Sequence, residues 1–227
     1  MIRALVFDFD GLILETETPA YETWAEIYKE HGQVLPLDRW FDYIGREGAF
    51  FDAADHLAAL VGEGFDRDAA RARRDARKTE LIAALDVMVG VREYVADAKR
   101  LGLRLAVASS SSRKWVLGHL ERLDLRAEWD AVLTRDDVVR TKPDPDLYLA
   151  AVKAVGVLPH QSVAFEDSMN GIAAAKAAGL LCVAVPNALT SGMDLSRADL
   201  RLASLAETRL SELLDMLAAR QAKTSPG

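Results

Sequence analysis

Strand-like and helix-like segments alternate along the second half of the chain, and this alternation constrains the fold more than any other feature. Short apolar runs are separated by segments in which apolar residues recur at helical spacing. Strands separated by helices of this length form βαβ units, whose strands lie parallel and whose helices cover both faces of the sheet. The predicted strands are residues 103–108, 129–134, 162–165 and 181–185, and the predicted helices are residues 91–101, 113–123, 144–155 and 169–178.

A further strand-like run, residues 4–9, opens the chain and ends at an Asp-Gly pair. A single strand cannot bury itself, so we expect it to join the same sheet. Residues 18 to about 85 lie between this strand and the alternating half, and show helical spacing with no convincing strand. The sequence therefore predicts an α/β fold, a Rossmann-like parallel sheet covered by helices on both faces. Residues 1–14 and 86–227 would form this core, and residues 15–85 an inserted all-helical cap domain.

Polar side chains follow several of the predicted strands. Ligands bind to open parallel sheets beyond the carboxyl ends of the strands, so residues just after the strands should converge at one rim. These residues are Asp8 and Asp10 after the first strand, Ser109 to Ser112 after the second, Lys142 in the loop after residue 134, and Glu166 and Asp167 after the later strand. The rim would thus combine four carboxylates, a hydroxyl cluster and a lysine.

Carboxylates clustered in this way repel one another unless a cation is bound. Oxygen ligands with retained waters suit a hard divalent ion, and we therefore predict a Mg²⁺ site with Asp8 and Asp167 as carboxylate ligands and the backbone carbonyl of Asp10 as a further ligand. Lys142 and the Ser109 hydroxyl offer donors for phosphoryl oxygens. Together these groups suit phosphoryl transfer.

Four short motifs make the chain similar to the haloacid dehalogenase-like hydrolases, specifically to the branch of β-phosphoglucomutase-like proteins and sugar phosphatases with a helical cap. The motifs are DFDGLI at residues 8–13, Ser109 after an apolar strand, KPDP at residues 142–145, and FEDS at residues 165–168 followed by Asn170-Gly171. Each motif alone is a weak signal. All four in this order, over nearly the whole chain, are specific.

The resemblance implies a reaction. Asp8 would be the nucleophile that attacks phosphorus and becomes an aspartyl phosphate, while Asp10 would protonate the departing oxygen and then activate water. Ser109 would hold the transferring group and Lys142 would neutralise its charge, so that these four residues form the implied catalytic set. The implied activity is Mg²⁺-dependent hydrolysis of a small phosphorylated metabolite, such as a sugar phosphate.

The resemblance also implies two binding sets. The residues that would bind phosphate or substrate are Gly11, Arg46, Ser109, Ser110 and Lys142. The residues that would bind the metal are Asp8, Asp10, Glu166 and Asp167. Glu166 would either ligate the ion directly or hold the other ligands in position. Arg46 is included because it lies in the cap segment, where it could contact the remote part of the substrate.

Departures from the family pattern separate the alternatives. Dehalogenases lack an aspartate at the place of Asp10. Phosphonate-cleaving members also lack this aspartate and use a lysine of the cap, for which residues 18–85 show no clear candidate. A sugar-phosphate mutase is the main alternative. Mutases typically carry a histidine where this chain has Ala20, and a phosphate-gripping arginine near Gly48. These differences favour hydrolysis, and the intact acids and lysine oppose a catalytically silent binding protein.

Composition limits the partners and the location. A net charge of −7 argues against a nucleic-acid partner, and the basic cluster at residues 67–78 also contains acids, as a solvated helix face does. No apolar run is long enough to span a bilayer and no signal peptide is evident. The single cysteine, Cys182, lies in an apolar run and is expected to be buried and inert. We therefore expect a cytoplasmic protein without a membrane partner. The four histidines are expected to lie away from the motifs.

Overall fold

The computed structural model describes residues 1–41, 44 and 51–224, and its centre is a six-stranded parallel sheet. The strands are β1 (Ala4–Phe7), β2 (Arg104–Ala108), β3 (Ala131–Leu133), β4 (Ser162–Glu166), β5 (Leu181–Ala184) and β6 (Leu200–Arg201), in the order β3-β2-β1-β4-β5-β6. Every neighbouring pair is parallel. The predicted fold class is confirmed.

Nine α-helices occupy the described residues. They are α1 (Glu17–Glu30), α2 (Leu37–Phe41), α3 (Ala53–Val61), α4 (Arg67–Ala83), α5 (Val91–Arg100), α6 (Arg113–Arg122), α7 (Asp146–Ala154), α8 (Met169–Ala177) and α9 (Leu210–Thr224). The first four fall within the segment predicted to be helical, and no strand lies among its described residues. Within the described part of the chain, no helix combines the length and apolar composition that crossing a bilayer requires.

Alternate residues of the central strands pack into two separate cores. Val6 of β1 and Ala164 of β4 pack in one cluster with apolar residues of α7 and α8, and Leu5 and Phe165 pack in the other with residues of α5, α6 and α9. This alternation follows from the pleat of a strand, which directs successive side chains to opposite faces. Helices therefore cover both faces, and Cys182 is fully buried, as predicted.

The ends of the helical segment meet next to the sheet. Leu14 and Val87 form an isolated antiparallel bridge, and the Met88 N–H donates to the Ile13 carbonyl at 2.9 Å. The chain thus leaves the sheet after β1 and returns toward it at almost the same point.

The observed elements differ from the predictions mainly at their ends. The strand predicted at residues 129–134 is limited to Ala131–Leu133, because it lies between two short 3₁₀ turns, Arg126–Glu128 and Arg135–Asp137, the second of which has Thr134 as its N-cap. The two-residue strand β6 was not predicted, since so short a run carries no periodicity. The terminal helix begins at Leu210 rather than near residue 207, because the Glu207 carboxylate accepts from the Ala203 N–H and forms part of a loop.

Candidate active site

Three neighbouring strands, β2, β1 and β4, bring the predicted rim residues together. The ladder continues one residue beyond β1 and β2: the Asp8 N–H donates to the Phe165 carbonyl and the Ser109 N–H to the Leu133 carbonyl, both at 3.0 Å. The backbones of these polar residues are therefore fixed by the sheet itself. Asp8 and Ser109 are both buried despite their polarity.

Three buried carboxylates lie close enough to hold one metal ion. Asp8, Glu166 and Asp167 each offer an oxygen, and these oxygens lie within 4.8 Å of one another. Burial raises the pKa of Asp8 to about 8, against the lowering effect of Lys142. Burial and the nearby charge of Asp8 also raise the pKa of Asp167 well above its ordinary value. The positive charge near these carboxylates is too small for all of them to be ionised at once. A cluster of oxygen donors of this kind suits a hard divalent cation.

Lys142 is the buried cation of this group. Its Nζ donates to Asp8 and, at 2.6 Å, to Glu166. Burial alone would lower the pKa of Lys142, but the charges of Asp8 and Glu166 raise it above its ordinary value. The lysine reaches the rim from the loop before α7, as predicted from its position after β3.

Glu166 is held by other protein donors as well. Its Oε1 also accepts from the Tyr148 hydroxyl at 2.5 Å, and its Oε2 accepts from the Ser168 hydroxyl at 3.2 Å. Gly171 packs directly against this carboxyl, because a Cβ at that position would lie 1.9 Å from it. Such enclosure by protein groups favours a bracing role for Glu166 over direct metal ligation.

Asp10 has surroundings of a different kind. Its Oδ1 accepts from the Thr16 hydroxyl and from Trp115 Nε1, both at 2.9 Å. Its Oδ2 accepts from the Ser111 hydroxyl at 2.7 Å and the Ser109 hydroxyl at 3.3 Å. The Asp10 side chain is thus bound by neutral donors and does not belong to the carboxylate group formed by the other acids.

Asn187 belongs to the site and was missed by the sequence analysis. Its Nδ2 donates to Asp167 Oδ2 at 2.9 Å and to the Gly11 carbonyl at 3.2 Å. It follows β5, so the strand-end rule that found the acids could also have found this residue. Gly11 adopts a φ of +80°, and a Cβ there would lie 2.3 Å from Asp167 Oδ2. Its small size allows the first loop to approach Asp167.

The helical segment reaches the rim at several points. The Asn170 side chain donates to the Ile44 carbonyl at 2.7 Å. Burial, followed by the charges of Asp10 and Glu15, raises the pKa of the half-buried Glu17 to about 8. Lys78 Nζ of α4 lies 5.2 Å from the centroid of the Trp115 ring. The sequence analysis did not single out Lys78 among the charged residues of this segment.

Three further predictions concern Ser110, Arg46 and the histidines. Ser110 follows Ser109 in the second motif and is half-buried, while Arg46 lies outside the described residues. His119 contradicts the expectation that the histidines lie away from the motifs: its ring centroid is 4.3 Å from that of Trp115 and 6.3 Å from that of Phe9. Helix α6 carries both His119 and Trp115, and one helical turn places them side by side.

Comparisons with known proteins show which family the chain belongs to. A family model described as haloacid dehalogenase-like hydrolase matches residues 2–179. The protein named "Putative phosphatase YhcW" from Bacillus subtilis strain 168 is 45% identical over 96% of this chain and 98% of its own length. Validoxylamine A 7'-phosphate phosphatase from Streptomyces hygroscopicus subsp. limoneus is 34% identical over 92% of this chain and 97% of its own.

A solved structure is similar over most of its length. CbbY from Rhodobacter sphaeroides, in complex with phosphate, matches with a TM-score of 0.69 and 30% identity, over 91% of this chain and 96% of that chain. The family model covers more than half of the sequence, and both relatives exceed 30% identity over nearly all of it. The chain therefore belongs to the haloacid dehalogenase-like hydrolases, as its four motifs predicted.

Proposed function

We propose that this protein is a Mg²⁺-dependent phosphatase that hydrolyses a small phosphate monoester through an aspartyl phosphate on Asp8. The observation that carries the proposal is the contrast between the two acids of the first motif. Asp8 lies among two buried carboxylates and the Lys142 cation, whereas Asp10 is held by hydroxyl and indole donors. A nucleophile that stays charged and an acid/base that exchanges a proton need such different surroundings.

Asp8 and Asp167 would hold the Mg²⁺ ion with the backbone carbonyl of Asp10, and Glu166 would brace the group. A bound Mg²⁺ supplies the positive charge that the buried acids lack, and so keeps the Asp8 carboxylate ionised at neutral pH. Asn187 would orient Asp167, since its amide already binds the carboxylate. Partners of this kind tune metal affinity in other proteins.

The reaction then proceeds in two displacements. In the first, an Asp8 oxygen forms a bond to phosphorus, the bond between phosphorus and the ester oxygen breaks, and Asp10 gives its proton to that oxygen. In the second, Asp10 takes a proton from water, the water oxygen bonds to phosphorus, and the Asp8 carboxylate departs. Free phosphate is released and both acids return to their initial states.

The phosphoryl group would lie beside Ser109, whose hydroxyl already contacts Asp10. The Ser109 hydroxyl, the Ser110 N–H, the loop at Gly11 and the Lys142 ammonium are the donors proposed to bind its oxygens. Stabilisation of charge that develops during the transfer is the main contribution that such donors make.

The relatives guide the choice of substrate class. One is named for a phosphate ester of validoxylamine A, and the related CbbY structure holds phosphate. We propose a phosphorylated sugar or similar small metabolite, selected by a cap formed by residues 15–85, with Arg46 as a contact for the remote part of the substrate. A cytoplasmic location remains a prediction from the sequence.

The proposal is tested by assaying the wild type and Asp8→Asn against glucose 6-phosphate, ribose 5-phosphate, sorbitol 6-phosphate, glycerol 3-phosphate and p-nitrophenyl phosphate. Free phosphate and sugar isomers are both followed, with Mg²⁺ or with a chelator. We expect Mg²⁺-dependent phosphate release that falls by about three orders of magnitude or more in the variant. Asp55→Asn is the matched control, because Asp55 is an exposed acid of the helical segment.

The other outcomes are distinct. Isomer formation without free phosphate would replace the phosphatase by a sugar-phosphate mutase. Phosphate release that is unchanged in Asp8→Asn would exclude Asp8 as the nucleophile, and release that is unchanged by the chelator would exclude the metal dependence. A wild type that is inert on the whole panel would favour a binding protein of the same fold.

A further inference from the structure

Among the described residues, Trp115 differs in kind from the other three side-chain donors to Asp10. Thr16, Ser109 and Ser111 donate through hydroxyls, whereas Trp115 donates through its indole N–H at 2.9 Å. A hydroxyl can donate or accept by rotating its hydrogen, but an indole N–H can only donate. The oxygen that faces Trp115 is therefore kept as an acceptor.

This restriction distinguishes the two oxygens of the Asp10 carboxylate. Oδ1 accepts from Trp115 and from the Thr16 hydroxyl, while the donors to Oδ2 are the hydroxyls of Ser109 and Ser111 alone, which can switch between donating and accepting. Oδ2 is thus the oxygen whose two hydroxyl partners can both accept when it carries the proton, whereas Oδ1 always faces the fixed N–H donor of Trp115. Oδ2 lies on the Ser109 side, where the transferring phosphoryl group is proposed to bind.

The indole is itself held in place. The Trp115 backbone N–H donates to the Ser112 hydroxyl at 3.3 Å, which caps the first turn of α6. The His119 ring packs edge-on against the indole at 4.3 Å between centroids, and Lys78 Nζ of α4 lies 5.2 Å from the ring centroid. A donor enclosed in this way points in a fixed direction, which a flexible hydroxyl does not.

We propose that Trp115 is a positioning residue that orients the Asp10 carboxyl, so that Oδ2 delivers the proton to the ester oxygen. The inference rests on the proposed function, because it needs Asp10 to act as the acid. It assigns no contact between Trp115 and the substrate.

The test compares Trp115→Phe with Trp129→Phe. Both changes remove an indole N–H and the same ring volume, but Trp129 Nε1 is buried without a hydrogen-bond partner in the described structure. A second variant carries 3-benzothienylalanine at position 115, in which sulfur replaces the N–H at nearly constant size. This variant separates the loss of the hydrogen bond from the loss of packing.

The measurement is kcat/KM for two esters. The alkyl ester is the sugar or polyol phosphate of the panel that is cleaved fastest, and the aryl ester is p-nitrophenyl phosphate. kcat/KM reports formation of the aspartyl phosphate, and p-nitrophenolate leaves without needing a proton from an acid. Positioned acids contribute about 10² to 10⁴ in rate, so we expect losing one orienting bond to lower the alkyl value by about tenfold or more. The aryl value should change by less than about threefold, and Trp129→Phe should leave the ratio of the two values unchanged.

Several results would overturn the inference. Equal losses for the two esters would indicate a merely structural role, as would an altered ratio in Trp129→Phe. An unchanged ratio in the benzothienylalanine protein would assign any effect of Trp115→Phe to packing. A wild type that cleaves no ester would contradict the proposed function, and the role of Trp115 with it. If the wild type is active but both position-115 variants leave the ester ratio unchanged, only the role of Trp115 would be contradicted.

Discussion

The rim of the sheet and the surface of helix α4 use the same kinds of charged residue in opposite ways. At the rim, the Lys142 side chain is 1% exposed and its partners Asp8 and Glu166 are 8% and 0% exposed. On α4, Arg77 and Glu80 form a pair at 2.8 Å with exposures of 45% and 71%, and Arg67 pairs with Asp55 at 49% and 63%. The basic cluster at residues 67–78 is thus largely solvated, with Arg74 as a buried exception.

This difference has an energetic meaning. Exposed pairs contribute about 0 to 1 kcal/mol, because solvent screens them and ordering two long side chains costs entropy. Buried ions lose several kcal/mol of hydration each, which their mutual attraction seldom exceeds by much. Stability alone therefore does not explain why the chain keeps three acids and a lysine in its core. Chemistry at the rim explains it, since functional sites are where perturbed buried charges concentrate.

The largest expected effect comes from breaking the buried network at its cation. Lys142→Met leaves Asp8 and Glu166 buried without their shared partner, and we expect a loss of about 3 to 5 kcal/mol in the free energy of unfolding. Arg77→Met on α4 should cost no more than about 1 kcal/mol. Chemical denaturation in the presence of a chelator measures both. Similar losses in the two variants would contradict the distinction between rim and surface.

A second effect tests the packing around the rim. Gly171→Ala would place a methyl group 1.9 Å from the Glu166 carboxyl, and overpacking of this kind costs about 1 to 3 kcal/mol. Gly118→Ala on α6 is the matched control, because nothing lies within 4 Å of its added Cβ. That exposed helical position should gain up to about 1 kcal/mol. Thermal unfolding distinguishes the two, and a neutral Gly171→Ala would show that Glu166 is not rigidly held.

The smallest effect concerns Glu17, which lies where the helical segment meets the rim. Its pKa in the folded protein is raised from 4.5 to about 8, so the folded state keeps a proton that the unfolded chain releases. The free energy of unfolding should therefore fall as pH rises between these values, and Glu17→Gln should avoid this loss. Without metal, we expect the variant to have the higher Tm at pH 8, by about 2 °C for a half-buried group, and little advantage at pH 4.5. A difference in Tm between the two proteins that does not change with pH would contradict the raised pKa of Glu17.

The elements of the sheet were predictable because their signal is local. Apolar runs and helical spacing are properties of short windows, and the strand-end rule then placed Asp8, Ser109 and Glu166 at one rim. Pairings across the fold were less accessible. The bond between Tyr148 and Glu166, and that between Trp115 and Asp10, depend on which turn of α7 or α6 faces the rim. Periodicity gives the apolar face of a helix but not the partner of one polar atom.

Residues of the helical segment were hardest to predict. Lys78 belongs to a run in which basic and acidic residues are mixed, and nothing in the spacing separates it from Arg77. Only the tertiary position of α4 brings the Lys78 ammonium to the Trp115 ring. Asn187 was a different kind of omission, because the rule that would find it was applied to acids, hydroxyls and lysine alone.

The bridge between Leu14 and Val87 bears on how this architecture can change. In folding terms, residues 15–86 are one long loop whose two ends are in contact. The entropy needed to close such a loop grows only with the logarithm of its length, so insertions and deletions within it alter the free energy of the sheet little. The strand ladder that fixes Asp8 and Ser109 does not pass through the loop. Under the proposed function, a lineage can therefore change the segment that selects the substrate while it keeps Asp8 and Ser109 in place.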